Sequence, residues 1–442
     1  LPLVATQWIP LSLLFAEKAL RRKRVRDGAL TGLLYGLNVL ASWYYAVIGG
    51  VLLGGYVVLR LWTLRRDGQW LRLVRPALLF GLAAGMVITP ALLVELSAAR
   101  ETQMHYSAAD ADQSSASPQD YITPNELHPI WGPAAMKSYS DQNVYEVGVY
   151  PGVVALLLSA VALLMGIKRR GKKAEGQVGA GFQAAYAWPW AVLAGAMFVL
   201  SLGLYLHKAG GETVKVGGSM VPMPGLLLYQ WVPGFSSLRV WARFGIVTTL
   251  CLSVLAGMGF TRLFARQEWQ RWKPLLAGCL VALVLFDDWG APYGWGLTST
   301  EAPKVANWLA AQPAGAVAVI PMQISGRPLY WSTFYKRPSS YGYDTFVPPG
   351  FKAVEPVLAG FPSSEAFKLL KGWGVRYVVV SASNYGASWA ATKKIFAGLG
   401  EWTLAYQGLQ PVFYHGPLWV GDIRPEVLDA MSPDEMLVYE LH

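Results

Sequence analysis

Asp120, Glu126 and His128 fall within nine residues of one another, beside Pro124 and Pro129, which stiffen the backbone. Two carboxylates and an imidazole held this close can move a proton at an acceptor hydroxyl. They can equally share a divalent cation, Mg or Mn, that offsets the charge of a leaving phosphate. The spacing matches no strong metal signature, and a solvated acidic loop with a hydrogen-bonded His128 is the simpler alternative. Arg239 and Arg243 form a second constellation. At i and i+4 they share one face of a helix, and paired guanidinium groups suit bidentate capture of a phosphate. Pairing with acidic loop residues, or contact with lipid headgroups, is the other reading. Tyr44 and Tyr45, with Trp43, either line a groove for a sugar or lipid tail or form an aromatic belt at a membrane interface. Glu95 ends an apolar segment and can face the same cavity. A Ser/His/Asp nucleophile motif, a Walker loop and a dinucleotide fingerprint are all absent from the sequence.

The elements that must position these residues are of the membrane type. Hydrophobic residues make up 54% of the chain and charged residues 14%, with 19 Trp and a mean hydropathy of +0.33. A soluble protein of this length needs more polar surface. The net charge of +10 borders apolar segments, which points to anionic membrane lipids and away from nucleic acid. Both cysteines, Cys251 and Cys279, lie in membrane-type segments, so there is no disulfide framework.

Four basic clusters, Lys18 to Arg26, Arg60 to Arg75, Lys168 to Lys173 and Arg262 to Lys273, occupy every other gap between apolar runs. Such clusters mark cytoplasmic loops. A helix needs roughly 20 apolar residues to span a bilayer. The run from Ala29 to Trp62 has basic ends, so it is expected to break near Ser42 into two short helices meeting at the outer interface. Further spans are expected at Leu1 to Ala16, Pro76 to Leu96, Gly148 to Ile167, Trp188 to Leu206, Phe244 to Phe264 and Pro274 to Phe286. The expected architecture is thus an α-helical polytopic membrane domain of about eight spans, residues 1–290, with outer loops 97–147 and 207–238. An interfacial helix is expected around Leu226 to Trp231.

Residues 291–442 read as a small extracytoplasmic α/β domain. Thr298 and Glu301 sit at capping-box spacing before a helix over Val305 to Ala311. Ser363 to Trp373, ended by Gly374, and Trp389 to Leu399 read as helices. Val317 to Ile320, Val375 to Ser381, Trp402 to Tyr406 and Val412 to His415 read as strands. Tyr330 to Tyr335, continuing to Pro348-Pro349-Gly350, reads as an aromatic loop.

Several segments together resemble a family. They are Trp8-Ile9-Pro10-Leu11, Ser42-Trp43-Tyr44-Tyr45, Thr123-Pro124-Asn125-Glu126-Leu127-His128-Pro129, Val232-Pro233-Gly234-Phe235, Leu238-Arg239-Val240-Trp241-Ala242-Arg243-Phe244 and Gly374-Val375-Arg376-Tyr377-Val378-Val379-Val380. In this order they look like large bacterial membrane proteins of the GT-C glycosyltransferase type, YfhO-like in character. The resemblance implies a multi-pass protein of the bacterial cytoplasmic membrane. It would move a sugar from a polyprenyl-phosphate donor to a lipid or cell-envelope glycan on the outer face. Such enzymes carry an essential Asp or Glu just after their first span. The chain starts at Leu1 inside an apolar run, so it is read as a fragment without that carboxylate. Two other functions fit the sequence: a non-catalytic scaffold or glycan-binding protein, and a lipid-linked-sugar flippase or transporter. Few ionisable residues lie at the span centres, which disfavours the transporter.

Overall fold

Ser42 divides the long apolar run, as its extended backbone (φ −168°, ψ 134°) cannot continue a helix. The computed structural model describes residues 6–64, 70–101, 106–125, 128–138, 148–168, 178–264, 269, 271–290, 302–321, 326–339, 349–410 and 434–442. Over these the chain is mostly helical with a small sheet region. It forms two compact units, Leu1–Ala98 with Met104–Ala291, and Ala99–Gln103 with Pro292–His442.

The first unit contains α1 (Trp8–Arg22), α2 (Val25–Ala41), α3 (Trp43–Leu64), all but the last three residues of α4 (Val74–Glu101), α5 (Ala108–Asp112), α6 (Gly132–Ser138), α7 (Val153–Lys168), α8 (Val178–Ser201), α9 (Pro224–Trp231), α10 (Phe244–Leu263) and α11 (Lys273–Asp287). A two-residue-per-strand hairpin, β1 (Lys215–Val216) and β2 (Ser219–Met220), precedes α9. Among the described residues, Trp43–Thr63, Leu71–Ser97 and Trp241–Leu263 are long and apolar enough to cross a membrane. Val153–Met165 and Ala187–Ser201 are shorter apolar helices.

Two helix backbones approach closely only where small residues line the contact. α2 supplies them at every fourth position, Gly28, Gly32 and Gly36. A Cβ at these positions would collide with Pro76, Phe80 and Val87 of α4, which places α2 and α4 side by side and parallel. α3 folds back antiparallel on α2. Asn38 donates to the Tyr45 carbonyl at 2.8 Å and the Tyr35 hydroxyl to the Ala46 carbonyl at 2.9 Å. The break at Ser42 is thus a helical hairpin, as the sequence suggested.

Two cations counted as loop charges in the sequence have packing roles instead. Arg60, 1% exposed, donates to Glu17 of α1 at 2.9 and 3.0 Å, and Tyr56 donates to the same carboxylate at 2.8 Å. Arg262 donates to the Ala162 carbonyl of α7. A buried charge is tolerable only when paired and hydrogen-bonded in this way.

The second unit contains α12 (Lys304–Ala311), β3 (Ala316–Ile320), α13 (Gly326–Tyr335), α14 (Pro349–Ala359), α15 (Ser364–Gly372), β4 (Val375–Ser381), α16 (Trp389–Ala397), β5 (Trp402–Gln410) and β6 (Asp434–Leu441). The sheet order is β3-β4-β6-β5, with β3 parallel to β4 and the other pairs antiparallel. Alternate residues of β4 face opposite layers, as strand geometry requires. Val378 and Val380 pack with Phe367, Leu370, Phe396 and Trp402, while Tyr377 and Val379 pack with Val305, Leu309 and Tyr335. Gly374, at φ +71°, turns α15 into β4.

The expected helices over 305–311, 363–373 and 389–399 and the strands over 317–320, 375–381 and 402–406 are all found, within a few residues at each end. The expected aromatic loop is corrected: Tyr330 to Tyr335 is the end of α13, and Pro349 opens α14. β6 was not anticipated, yet it is central to the sheet. The expected strand over 412–415 and the Thr298–Glu301 cap lie outside the described residues.

Candidate functional site

The segment from Phe235 to Arg243 packs into the core of the first unit, and this decides where its arginines stand. Gly234, at φ +88°, makes the turn, and Leu238, Val240, Trp241 and Ala242 are each at most 3% exposed. Burying four apolar side chains from five residues demands both sides of the backbone, which one face of a helix cannot supply. Residues 238–240 are therefore non-helical, and the expectation that Arg239 and Arg243 share a helix face is corrected. Arg243 closes a short 3-10 turn (Trp241–Arg243) at the start of α10.

The two arginines converge on Tyr44 all the same. The Arg239 backbone N–H donates to the Tyr44 hydroxyl at 3.1 Å, and the Arg243 guanidinium carbon lies 4.3 Å from the Tyr44 ring centre. Next door, the Trp43 indole N–H donates to Glu95 of α4 at 3.0 Å. Tyr45 is buried beneath, and its hydroxyl has no hydrogen-bond partner; the same holds for the Trp241 indole N–H. Tyr44, Tyr45, Glu95, Arg239 and Arg243 thus gather around the Trp43 end of α3. A cation fixed over an aromatic face, with a carboxylate nearby, suits an anionic ligand bearing hydroxyl groups.

No protein-family profile matches the chain, and no curated protein matches it.

The acidic loop resolves into separate networks. His128 is 1% exposed; its Nδ1 accepts the backbone N–H groups of Ile130 and Trp131 at 3.1 and 3.2 Å. Its Nε2, assigned as the protonated nitrogen from that pattern, then donates to the Phe286 carbonyl at 2.9 Å. Both nitrogens are engaged in tying the loop to the end of α11. Asp120 is elsewhere, 2% exposed, accepting the Ser117 backbone N–H at 2.6 Å. Burial pushes its carboxyl above the ordinary range, against the Ser117 N–H and the nearby His207, which favour the charged form. Glu126 lies outside the described residues.

Sequence reasoning missed Asp112 and His207. The Asp112 Oδ1 accepts the backbone N–H groups of Leu204 and Tyr205, each at 3.1 Å, and its Oδ2 lies 3.2 Å from His207 Nε2. Both side chains are buried, and His207 Nδ1 has no partner. With Ala116 N–H to the Ser201 carbonyl (2.9 Å) and Ala242 N–H to the Ser114 carbonyl (3.2 Å), this joins loop 106–121 to the end of α8 and to the arginine segment. Nothing in the spacing of Asp112 and His207, far apart in the chain, signals the pairing. Among the described residues, no three of His, Cys, Asp and Glu converge as a metal site. Asp287 likewise has a packing role: it accepts the Tyr150 hydroxyl at 2.9 Å and the Val153 N–H at 2.6 Å, capping α7.

Proposed function

We propose that the protein is a membrane glycosyltransferase of the GT-C type, taking a sugar from a polyprenyl-phosphate donor to a lipid or cell-envelope glycan. In this reading it lies in the bacterial cytoplasmic membrane with about eight spans, and the C-terminal unit stands outside, where it binds acceptor. The observation that carries the reading is the convergence of Arg239, Arg243, Tyr44 and Glu95 at the ends of candidate membrane helices. That is the depth at which a lipid phosphate and its attached sugar meet protein. Arg243 takes the phosphate charge, and Tyr44 and Tyr45 hold the sugar or the first isoprene units. Glu95 orients a hydroxyl. Asp120, kept more basic by burial, is the residue suited to accept the acceptor proton, and Glu126 belongs to the same loop. Mg or Mn, if used, would meet the donor phosphate itself.

The test is incubation of the full-length protein with radiolabelled polyprenyl-phosphate hexoses and membrane lipid extract. Label should move to an acceptor in wild type. Loss of transfer in Arg243→Ala, with donor binding weakened and the fold intact, is the expected result. Donor binding that is indifferent to loss of both arginines would overturn the reading.

A further inference from the structure

The exposed tryptophans of the first unit fall at its two ends. Trp43 opens α3, Trp231 closes α9, Trp289 follows α11, and Trp131 stacks on His128. Trp62 stands near the end of α3, and Trp269 and Trp272 lie between α10 and α11. Each is at least 39% exposed, and no other tryptophan among the described residues of this unit is exposed.

Contacts between helices show that the first four share one end. Arg243 over the Tyr44 ring joins the start of α10 to the start of α3. A Cβ on Gly245 would meet Val149, and one on Gly259 would meet the Leu158 carbonyl, so α7 runs parallel to α10. Asp287, at the end of α11, binds the Val153 N–H at the start of α7. The starts of α3, α7 and α10 and the end of α11 are therefore together. His128 bonds the Phe286 carbonyl and brings Trp131 to the same end. α9 joins them because Gly225 abuts the Gly203 carbonyl and the Trp241 ring. Trp62, Trp269 and Trp272 belong to the opposite end, with the ring of Trp269 against Phe264.

Two helices measure the separation independently. At 1.5 Å per residue, Trp43 to Trp62 along α3 is about 28 Å, and Trp272 to Trp289 along α11 is about 26 Å. The hydrocarbon core of a bilayer is about 30 Å thick. Between the two levels the exposed side chains are aliphatic, as at Val58, Met86, Leu157 and Leu283, and α11 buries none of its residues. A protein partner would gather tryptophan near the centre of its contact. A bilayer draws it to both margins, where the indole ring meets headgroups, and leaves aliphatic chains between. The segment around α9 fits the margin too: residues 216–238 carry no charge, while Leu227 and Trp231, at i and i+4, are both exposed.

We propose that this apolar surface is covered by a lipid bilayer whose two headgroup boundaries pass through these tryptophan levels. One boundary lies at Trp43, Trp131, Trp231 and Trp289, with α9 flat within it; the other lies at Trp62, Trp269 and Trp272. Tyr44 and Arg243, beside Trp43, then stand at headgroup depth. The assignment holds whether or not the protein transfers a sugar.

The experiment is nitroxide depth measurement on the full chain in dioleoyl phosphatidylcholine vesicles. Cys279 is exposed on α11 and Cys251 is buried, so the native protein offers a label site between the two levels without any substitution. A label on Cys279 should be relaxed by dissolved oxygen and shielded from a water-soluble nickel chelate. In a Cys279→Ser background, labels placed by Trp62→Cys, Trp231→Cys, Trp272→Cys and Trp289→Cys should lie about 10 Å shallower, at the headgroup boundary. Melting temperatures should stay unchanged, since these side chains are exposed. A Cys279 label open to the nickel chelate would mean that water covers the face. One shielded from both reagents would mean that protein does. Either result would overturn the proposal, as would labels at the tryptophan positions that lie as deep as Cys279 or wholly in water.

Discussion

The guanidinium of Arg243 rests 4.3 Å from the centre of the Tyr44 ring. The ring belongs to the first turn of α3 and the cation to the start of α10, so the contact joins two of the candidate membrane helices. Because the Tyr44 hydroxyl also accepts the Arg239 N–H, one side chain holds both arginines. Tyr44→Phe keeps the ring and removes only the acceptor, at an expected cost of about 1 kcal/mol. Tyr44→Ala removes the cation–π partner too, adding about 1–2 kcal/mol. Thermal denaturation of both variants in detergent checks the order. Equal melting temperatures for the two would contradict it.

Asp112 is expected to behave as the clasp of the 106–121 loop. Asp112→Ala strips the acceptor from Leu204, Tyr205 and His207, and should destabilise this region by about 3 kcal/mol or more. Asp112→Asn keeps one carbonyl oxygen for the backbone groups and should cost less. Hydrogen exchange at the Leu204 and Tyr205 amides is the readout; protection unchanged in Asp112→Ala would rule the clasp out.

Glycines on the two sides of the α2–α4 pair should respond oppositely. Gly32→Val drives a side chain into the Phe80 carbonyl and should cost about 1–3 kcal/mol or separate the helices. Gly81→Ala points into open space and should be neutral or slightly stabilising, since alanine is the better helix former. Comparing melting temperatures of the two variants decides whether the glycine stripe of α2 is the packing face.

Glu435 makes the C-terminal sheet sensitive to acid. Burial opposes its charge, but hydrogen bonds from Lys393 (2.5 Å), Trp389 (2.8 Å) and Gln407 (2.6 Å) hold its carboxyl below the usual range. Its folded value is depressed, so its contribution is fully present above the unfolded value of about 4.3 and is lost as pH falls further. The stability gap between wild type and Glu435→Gln should therefore be constant down to about pH 5 and narrow progressively as pH falls below about 4. Denaturant midpoints of the full chain, measured across that range, test it. A gap that does not narrow on acidification would count against the network.

Much of the helical framework was legible from composition and periodicity alone. The break at Ser42, the span-like helices at 74–101 and 244–263, and the alternation of helix and strand after residue 302 follow from local patterning. The glycine spacing Gly28-Gly32-Gly36 was passed over in the sequence, and the structure gave it its partner on α4. β6 was overlooked even though Met436, Leu437, Val438 and Tyr439 alternate between the two faces of the sheet. Its short apolar run between acids gives little signal in isolation. Tyr330 to Tyr335 misled for a different reason: clustered aromatics look like a loop lining, but here α13 uses Tyr335 to cover the sheet.

The candidate site divides along the same line. Residue types by themselves suggested that Arg239, Arg243, Tyr44, Tyr45 and Glu95 belong at helix ends, because charge is costly inside an apolar span and Tyr and Trp favour its interfacial ends. Only the tertiary structure decided that they meet, and that Arg239 does so through its backbone. It also separated His128 from Asp120 and joined Asp112 to His207 instead. Hydrogen-bond partners of buried polar groups are chosen by which segments pack together. That choice rests on contacts between residues far apart in the chain, which no local spacing records.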